Sequence, residues 1–222
     1  MPNEFFAEPS AFGNYLQSIH VLPLLVKVRF GQWDALLAEP MLDKKLDYEY
    51  AFQLFAKGMA AANTNKQGLA SAQLAAMQQQ MKVPVLAEKY ASFANSALSA
   101  LKVGEQILAG SIAASQNKWE VAIGHYNSAV VFEDAMLYNE PKDWLLPARH
   151  WLGYALLKSK QYAQAETVYK KDLEINPHNG WALYGLLQAQ KAQKKDKAAA
   201  ETEVAYKKAC DRSDITRTGS VF

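Results

Sequence analysis

The sequence predicts an all-α fold assembled from packed helical pairs, and three observations lead to it. Inside amphipathic patterns a glycine is followed twelve positions later by an alanine, at Gly58/Ala70, Gly110/Ala122 and Gly153/Ala165. Small residues at that spacing let two antiparallel helices approach closely. Alanine, leucine, lysine, glutamine and glutamate dominate these stretches, β-branched runs are scarce, and no segment alternates as a strand would. Short punctuators separate the amphipathic segments, among them Phe30-Gly31, Val83-Pro84 and Asn176-Pro177.

The first expected helix, roughly 11–30, carries Leu16, Ile19, Val21, Leu22, Leu24, Leu25, Val28 and Phe30. That ring is too apolar for a capping helix, which should keep one face polar. It predicts either a longer parent chain or self-association through this helix. A short partner begins at Gln32-Trp33 and stops at Pro40, with Leu36 where a small alanine would be expected. Tyr48 to Asn63 and Lys66 to Met81 form the next pair. From about 86 to 115 the apolar periodicity predicts one long helix, near 45 Å at 1.5 Å per residue, bent at most once around Lys102–Gly104. Another helix runs from Asn117 to Met136.

The following pair starts at Trp144, with Asp143 as its cap, and closes at Asn176-Pro177. A final pair covers Asn179–Gln193 and Asp196–Asp211. Its lysines, interleaved with Glu201, Glu203 and Asp196, suit a solvated end cap better than a nucleic-acid face. The last ten residues should be extended or tucked against an earlier helix. Read as units, the chain is one helical array: degenerate repeats over 10–82, a long-helix repeat over 86–137, the clearest repeat over 144–177 and a cap over 179–211.

Length and charge narrow the function. A chain of 222 residues can bury a sizeable core, and its net charge of +2 leaves no electrostatic footprint for nucleic acid. Cys210 is the only cysteine, so no internal disulfide exists. No long apolar run reaches membrane-spanning length, and the amino end lacks the pattern of a signal peptide. A cytoplasmic location is the expectation. The histidines His20, His125, His150 and His178 show no i, i+4 zinc spacing. No nucleophile elbow or phosphate-cradling loop occurs, and Glu201/Glu203 fall on opposite helix faces. Neither catalysis nor a metal or cofactor is expected.

The positions Leu152, Gly153, Leu156, Ala165, Tyr169 and Pro177 resemble the tetratricopeptide repeat family, clearly over 108–210 and more loosely over 10–82. Arg149 and Asp172 depart from its usual Trp and Ala. The runs Glu140-Pro-Lys-Asp-Trp144 and Asn176–Tyr184 also resemble a subgroup of bacterial repeat proteins of undefined function. The resemblance implies an α–α superhelix of four to five helical pairs whose first helices line a concave groove for a peptide or protein partner. It implies no chemistry. Mapping the same faces gives Phe52, Phe55, Met59, Ile107, Ser111, His150, Tyr154, Lys158, Trp181, Tyr184 and Gln188, without the basic clamp that grips acidic chaperone tails.

Tyr154, Lys158, Trp181, Tyr184 and Gln188 are the expected contact residues, with Trp144, Arg149 and His150 on the rim. Rings with polar tips bind well because they offer rigid area at low entropy cost, although each could equally pack against a neighbouring helix. A second reading uses the acidic and aromatic residues of 133–150 (Glu133, Asp134, Tyr138, Glu140, Asp143, Trp144) to hold a cationic or amino-bearing ligand. Its plain counterpart has Asp143 capping a helix and Glu133 or Glu140 pairing with Arg149.

Overall fold

The computed structural model describes residues 8–92, 94–215 and 217–222, and these form eleven α-helices and no strand. Helices α1 (Ala11–His20), α2 (Leu22–Arg29) and α3 (Trp33–Ala38) open the chain. Longer hairpins follow: α4 (Asp47–Asn63) with α5 (Gln67–Gln80), α6 (Ala97–Ser115) with α7 (Trp119–Asp134), α8 (Ala148–Lys158) with α9 (Tyr162–Ile175), and α10 (Gly180–Ala192) with α11 (Asp196–Ala209).

One backbone device repeats through the array. Gly31, Asn65, Asn117, Lys160 and Lys194 each take a left-handed conformation with φ between 57° and 61°. The next residue then donates its N–H to a carbonyl five positions earlier: Gln32 to Lys27, Lys66 to Ala61, Lys118 to Ala113, Gln161 to Leu156 and Lys195 to Gln190, at 2.8–3.0 Å. This closes the first helix of each pair and starts the second two residues after the left-handed position. Gly31 to Asn65 and Lys160 to Lys194 are each 34 residues apart, so the degenerate opening unit turns at the same interval as the last one. The intervals of 52 and 43 between Asn65, Asn117 and Lys160 hold two insertions, a 3-10 turn with a loop and the stretch before α8.

Three expectations are corrected here. The first helix breaks at Val21, because Pro23 cannot donate a backbone N–H to the turn before it. The long helix expected over 86–115 forms only from Ala97 to Ser115. Pro84–Ala87 is a 3-10 turn that buries Val85 and Leu86, and helix begins only after Ser96. The apolar residues there satisfy burial as an irregular plug, which periodicity alone does not distinguish from a helix. Likewise no helix starts at Trp144. Pro147 precedes α8, and Asp143 instead accepts from Asn95 at 2.7 Å and from Asn139. The α8 amino terminus is capped from α7, where Glu133 accepts the Ala148 N–H at 2.8 Å.

The glycine–alanine pairs pack through a third residue. Ala70, Ala122 and Ala165 are fully buried. A Cβ on Gly110 would lie 2.5 Å from the Tyr126 ring, and one on Gly153 2.4 Å from Tyr169. The glycine therefore receives the aromatic side chain one turn beyond the alanine. Gly58 differs, since its space is taken by Leu108 of the next pair.

One core runs from Val21 and Leu24 through to Val221. The apolar ring of the first segment is divided by it: Val21, Leu24, Leu25 and Val28 face inward, while Ile19, Leu22, Val26 and Phe30 stay exposed. Among the described residues, no helix is long and apolar enough to cross a membrane.

Candidate functional site

In a regular repeat array each unit touches only its neighbours. Here the opening repeat reaches the last ones. The Arg29 guanidinium at the end of α2 lies between two indoles, 5.7 Å from the Trp151 ring centre and 4.9 Å from that of Trp181. Phe30 approaches Trp181 at 6.4 Å. Arg29 also donates to His150 Nδ1 at 3.1 Å, and His150 Nε2 stands 3.3 Å from Asp172 Oδ2. Arginine only donates, so Nδ1 accepts and the remaining ring N–H points at Asp172. Burial, reinforced by the Arg29 charge and opposed by the Asp172 hydrogen bond, holds His150 below its ordinary value. Burial also lowers Arg29 to about 10, which leaves it a cation at neutral pH. Buried charge of this kind persists where a counter-ion and hydrogen bonds compensate the lost water.

The end of the sequence completes the arrangement. Residues 217–222 form no helix or strand and touch both helices of the first, fourth and fifth pairs, through α2, α3 and α8 to α11. The Arg217 guanidinium sits 4.7 Å over Trp181. Ser220 donates its hydroxyl to the His150 carbonyl at 3.0 Å and shares a 2.7 Å hydrogen bond with the Tyr169 hydroxyl. Val221 is buried, and its carbonyl faces Arg29 Nη1 at 3.5 Å. Phe222 meets Trp33 edge-on at 4.8 Å and Trp151 at 6.5 Å.

Four of the expected contact residues come together. Tyr154, Lys158, Tyr184 and Gln188 line one cleft of about 270 Å³, and Thr218, Gly219 and Ser220 form its far wall. The Lys158 ammonium lies 5.2 Å over the Tyr154 ring. Trp181 is half-buried and held between Arg29 and Arg217 rather than open. The rim assignments need correction. His150 is fully buried in the Arg29–Asp172 chain. Trp144 is also buried, tilted against Phe52, edge-on to Phe55 and over Gly104, where it plugs the enlarged repeat junction. Arg149 binds Asp134 with both terminal nitrogens, at 2.8 and 2.6 Å. Phe52, Phe55, Met59 and Ile107 are core. Arg29, Tyr169, Ser220 and Phe222 were not legible as groove residues. The one signal was the non-helical ending, expected to be extended or tucked against an earlier helix, with no period to place it.

The acidic-aromatic segment borders a second cleft of about 270 Å³, lined by Glu133, Asp134, Tyr138, Asp143, Trp144 and Arg149 together with Asp172 and Asn176. Its carboxylates are already engaged. Asp134 holds Arg149, Asp143 holds Asn95 and Asn139, Asp172 accepts from Asn176 at 3.1 Å, and Glu133 caps α8. Burial pushes Glu133 up to about 7, against the Ala148 N–H and Arg149, which favour the charged form. The folded chain therefore holds this proton more tightly than the unfolded chain does. Its contribution is fully present below about 4.5 and is lost as pH rises through about 7. Glu133→Gln keeps an acceptor for Ala148 and removes the titration. In urea unfolding, wild type should lose on the order of 2–3 kcal/mol relative to the variant between pH 5 and pH 8. Parallel stability curves for the two chains would rule this out.

Comparison of the chain with family models, with curated proteins and with solved structures finds no match. Among the described residues, no group of three or more His, Cys, Asp or Glu side chains is placed to hold a metal ion.

Proposed function

We propose that this chain is a non-enzymatic interaction module: an α–α superhelix of five helical pairs, related to tetratricopeptide repeats, that holds an extended protein segment against its first helices. The observation that carries this reading is residues 217–222, which lie in that groove as a bound peptide would, with side chains in separate sockets. The adjoining cleft of Tyr154, Lys158, Tyr184 and Gln188 supplies rigid rings, a cation and an amide, the mix that peptide-binding surfaces use. An amine ligand in the acidic cleft has less support, because Arg149 already pairs with Asp134 and hydrogen bonds from the protein already engage Asp143 and Glu133.

Selection of random peptides by display, on wild type and on a variant carrying Arg217→Ala and Phe222→Ala, tests the reading. Enriched peptides should lose at least about ten-fold in affinity, roughly 1.4 kcal/mol, on Tyr184→Ala or Lys158→Glu, with melting temperature nearly unchanged. No enrichment on either chain, or peptides indifferent to both cleft substitutions, would reject it.

A further inference from the structure

The last stretch of the sequence is bound to its own fold chiefly through side chains, besides the Val221 carbonyl that faces Arg29 Nη1 at 3.5 Å. Among the described residues, none of the backbone amides of 217–222 donates to another backbone carbonyl. The contacts are instead a series of sockets with distinct chemistry. Arg217 fills an aromatic one, between Trp181 at 4.7 Å and Tyr206 at 5.8 Å. Gly219 passes the Tyr154 ring so closely that a Cβ would stand 3.2 Å from it. Ser220, 1% exposed, places its hydroxyl between the Tyr169 hydroxyl and the His150 carbonyl. Val221 is buried to the same degree as the core, and Phe222 enters the corner made by Trp33 and Trp151.

This occupant is held incompletely. Arg217 Nε and Nη1 are buried without a hydrogen-bond partner, as is Trp151 Nε1 beside Phe222. Unpaired buried donors weaken a contact, and a segment without a backbone ladder opens at lower cost than the helices around it. Sockets that read side chains in order, filled by a segment that leaves donors unsatisfied, fit a site whose occupant can be exchanged.

We infer that the groove recognises an extended partner segment of the pattern basic–any–glycine–serine–aliphatic–aromatic, and that residues 217–222 occupy the place of that segment in cis and must leave before it binds. The inference rests on the peptide-groove reading above and deepens it. Tethering gives the chain's own segment an effective concentration in the millimolar range, so a competing segment is weakened without any change in the sockets.

The probe is a fluorescent hexapeptide, Arg-Thr-Gly-Ser-Val-Phe, acetylated and amidated, followed by anisotropy. The full chain carrying Arg217→Ala and Phe222→Ala should bind it at least about ten-fold more tightly than wild type does. A probe with alanine at both of those positions should bind neither. Equal affinity for the two chains, or no binding to a variant that retains a cooperative thermal transition, overturns the inference. Should the variant fail to fold, the NMR spectrum of wild type decides: excess probe should move the Gly219 amide and Phe222 ring resonances to their random-coil positions, and unmoved resonances overturn it. Concentration-dependent dimers of wild type that the double substitution abolishes would assign the sockets to a second copy of the chain, also overturning it. Library peptides that bind wild type and variant alike would leave the peptide-groove reading standing while this inference falls.

Discussion

Gly185→Ala should lower stability by about 2 kcal/mol, a drop of roughly 4–8 °C in melting temperature for a chain of this size. A Cβ on Gly185 would lie 2.2 Å from the Tyr169 ring, and the opposite face of that ring already rests on Gly153, where a Cβ would lie 2.4 Å away. Tyr169 is completely buried and its hydroxyl is committed to Ser220. The ring can retreat from neither glycine, so the clash must move α8 or α10. Alanine gains up to about 1 kcal/mol of helix propensity over glycine, which offsets part of the overpacking. Gly124→Ala is the matched control. Nothing lies within 4 Å of a Cβ there, so the same exchange in α7 should stabilise by up to about 1 kcal/mol. Equal effects of the two substitutions in thermal unfolding would show that propensity, not the tyrosine clamp, governs these glycines.

Arg29→Ala should cost about 3–5 kcal/mol, the largest effect expected of any polar residue in the fold. Its guanidinium fills the space between Trp151 and Trp181, donates to His150, and supplies positive charge opposite Asp172. Removal leaves Asp172, 1% exposed, without its Arg29 counter-charge and with His150 and Asn176 as side-chain partners. Arg29→Met restores volume without charge and should recover only the packing part. Combining Arg29→Met with Asp172→Asn should recover most of the remainder, because a polar pair without net charge costs less to bury than one uncompensated carboxylate. Chemical unfolding of wild type, Arg29→Met, Asp172→Asn and the double variant measures the coupling directly. Additive single and double effects would mean that the two charges do not depend on one another.

The helices legible from pattern are those where local and long-range demands agree. Helices α4, α5, α7, α10 and α11 fall within a residue or two of the periodic stretches that predict them, because each has one apolar face, a turn and a partner close in sequence. The errors fall where apolar residues are buried without helical periodicity. Val85 and Leu86 pack as a 3-10 turn, and Trp144 fills a repeat junction ahead of Pro147. Val83-Pro84 is among the punctuators of the sequence, and Pro147 bars an unbroken helix from Trp144 for the same reason. The hydrophobic residues beside them invited a helical reading because burial and periodicity are confounded in short runs.

The same division runs through the site. Tyr154, Lys158, Tyr184 and Gln188 share one cleft because they repeat along inner faces of α8 and α10, and that much follows from spacing at 3.6 residues per turn. His150 matches the pattern equally well yet is buried, since the charge chain from Arg29 encloses it, and Trp144 is buried in the loop before α8, off that face.

Short-range pattern was enough for the all-helical class, the pairing of helices and the interval of the clearest repeats, because those depend on contacts among residues a few turns apart. The meeting of Arg29 with Trp181, and the seating of 217–222 across helices far earlier in the chain, arise only once every pair is stacked. Each depends on how every helical pair packs on the one before it, which no local window of residues carries.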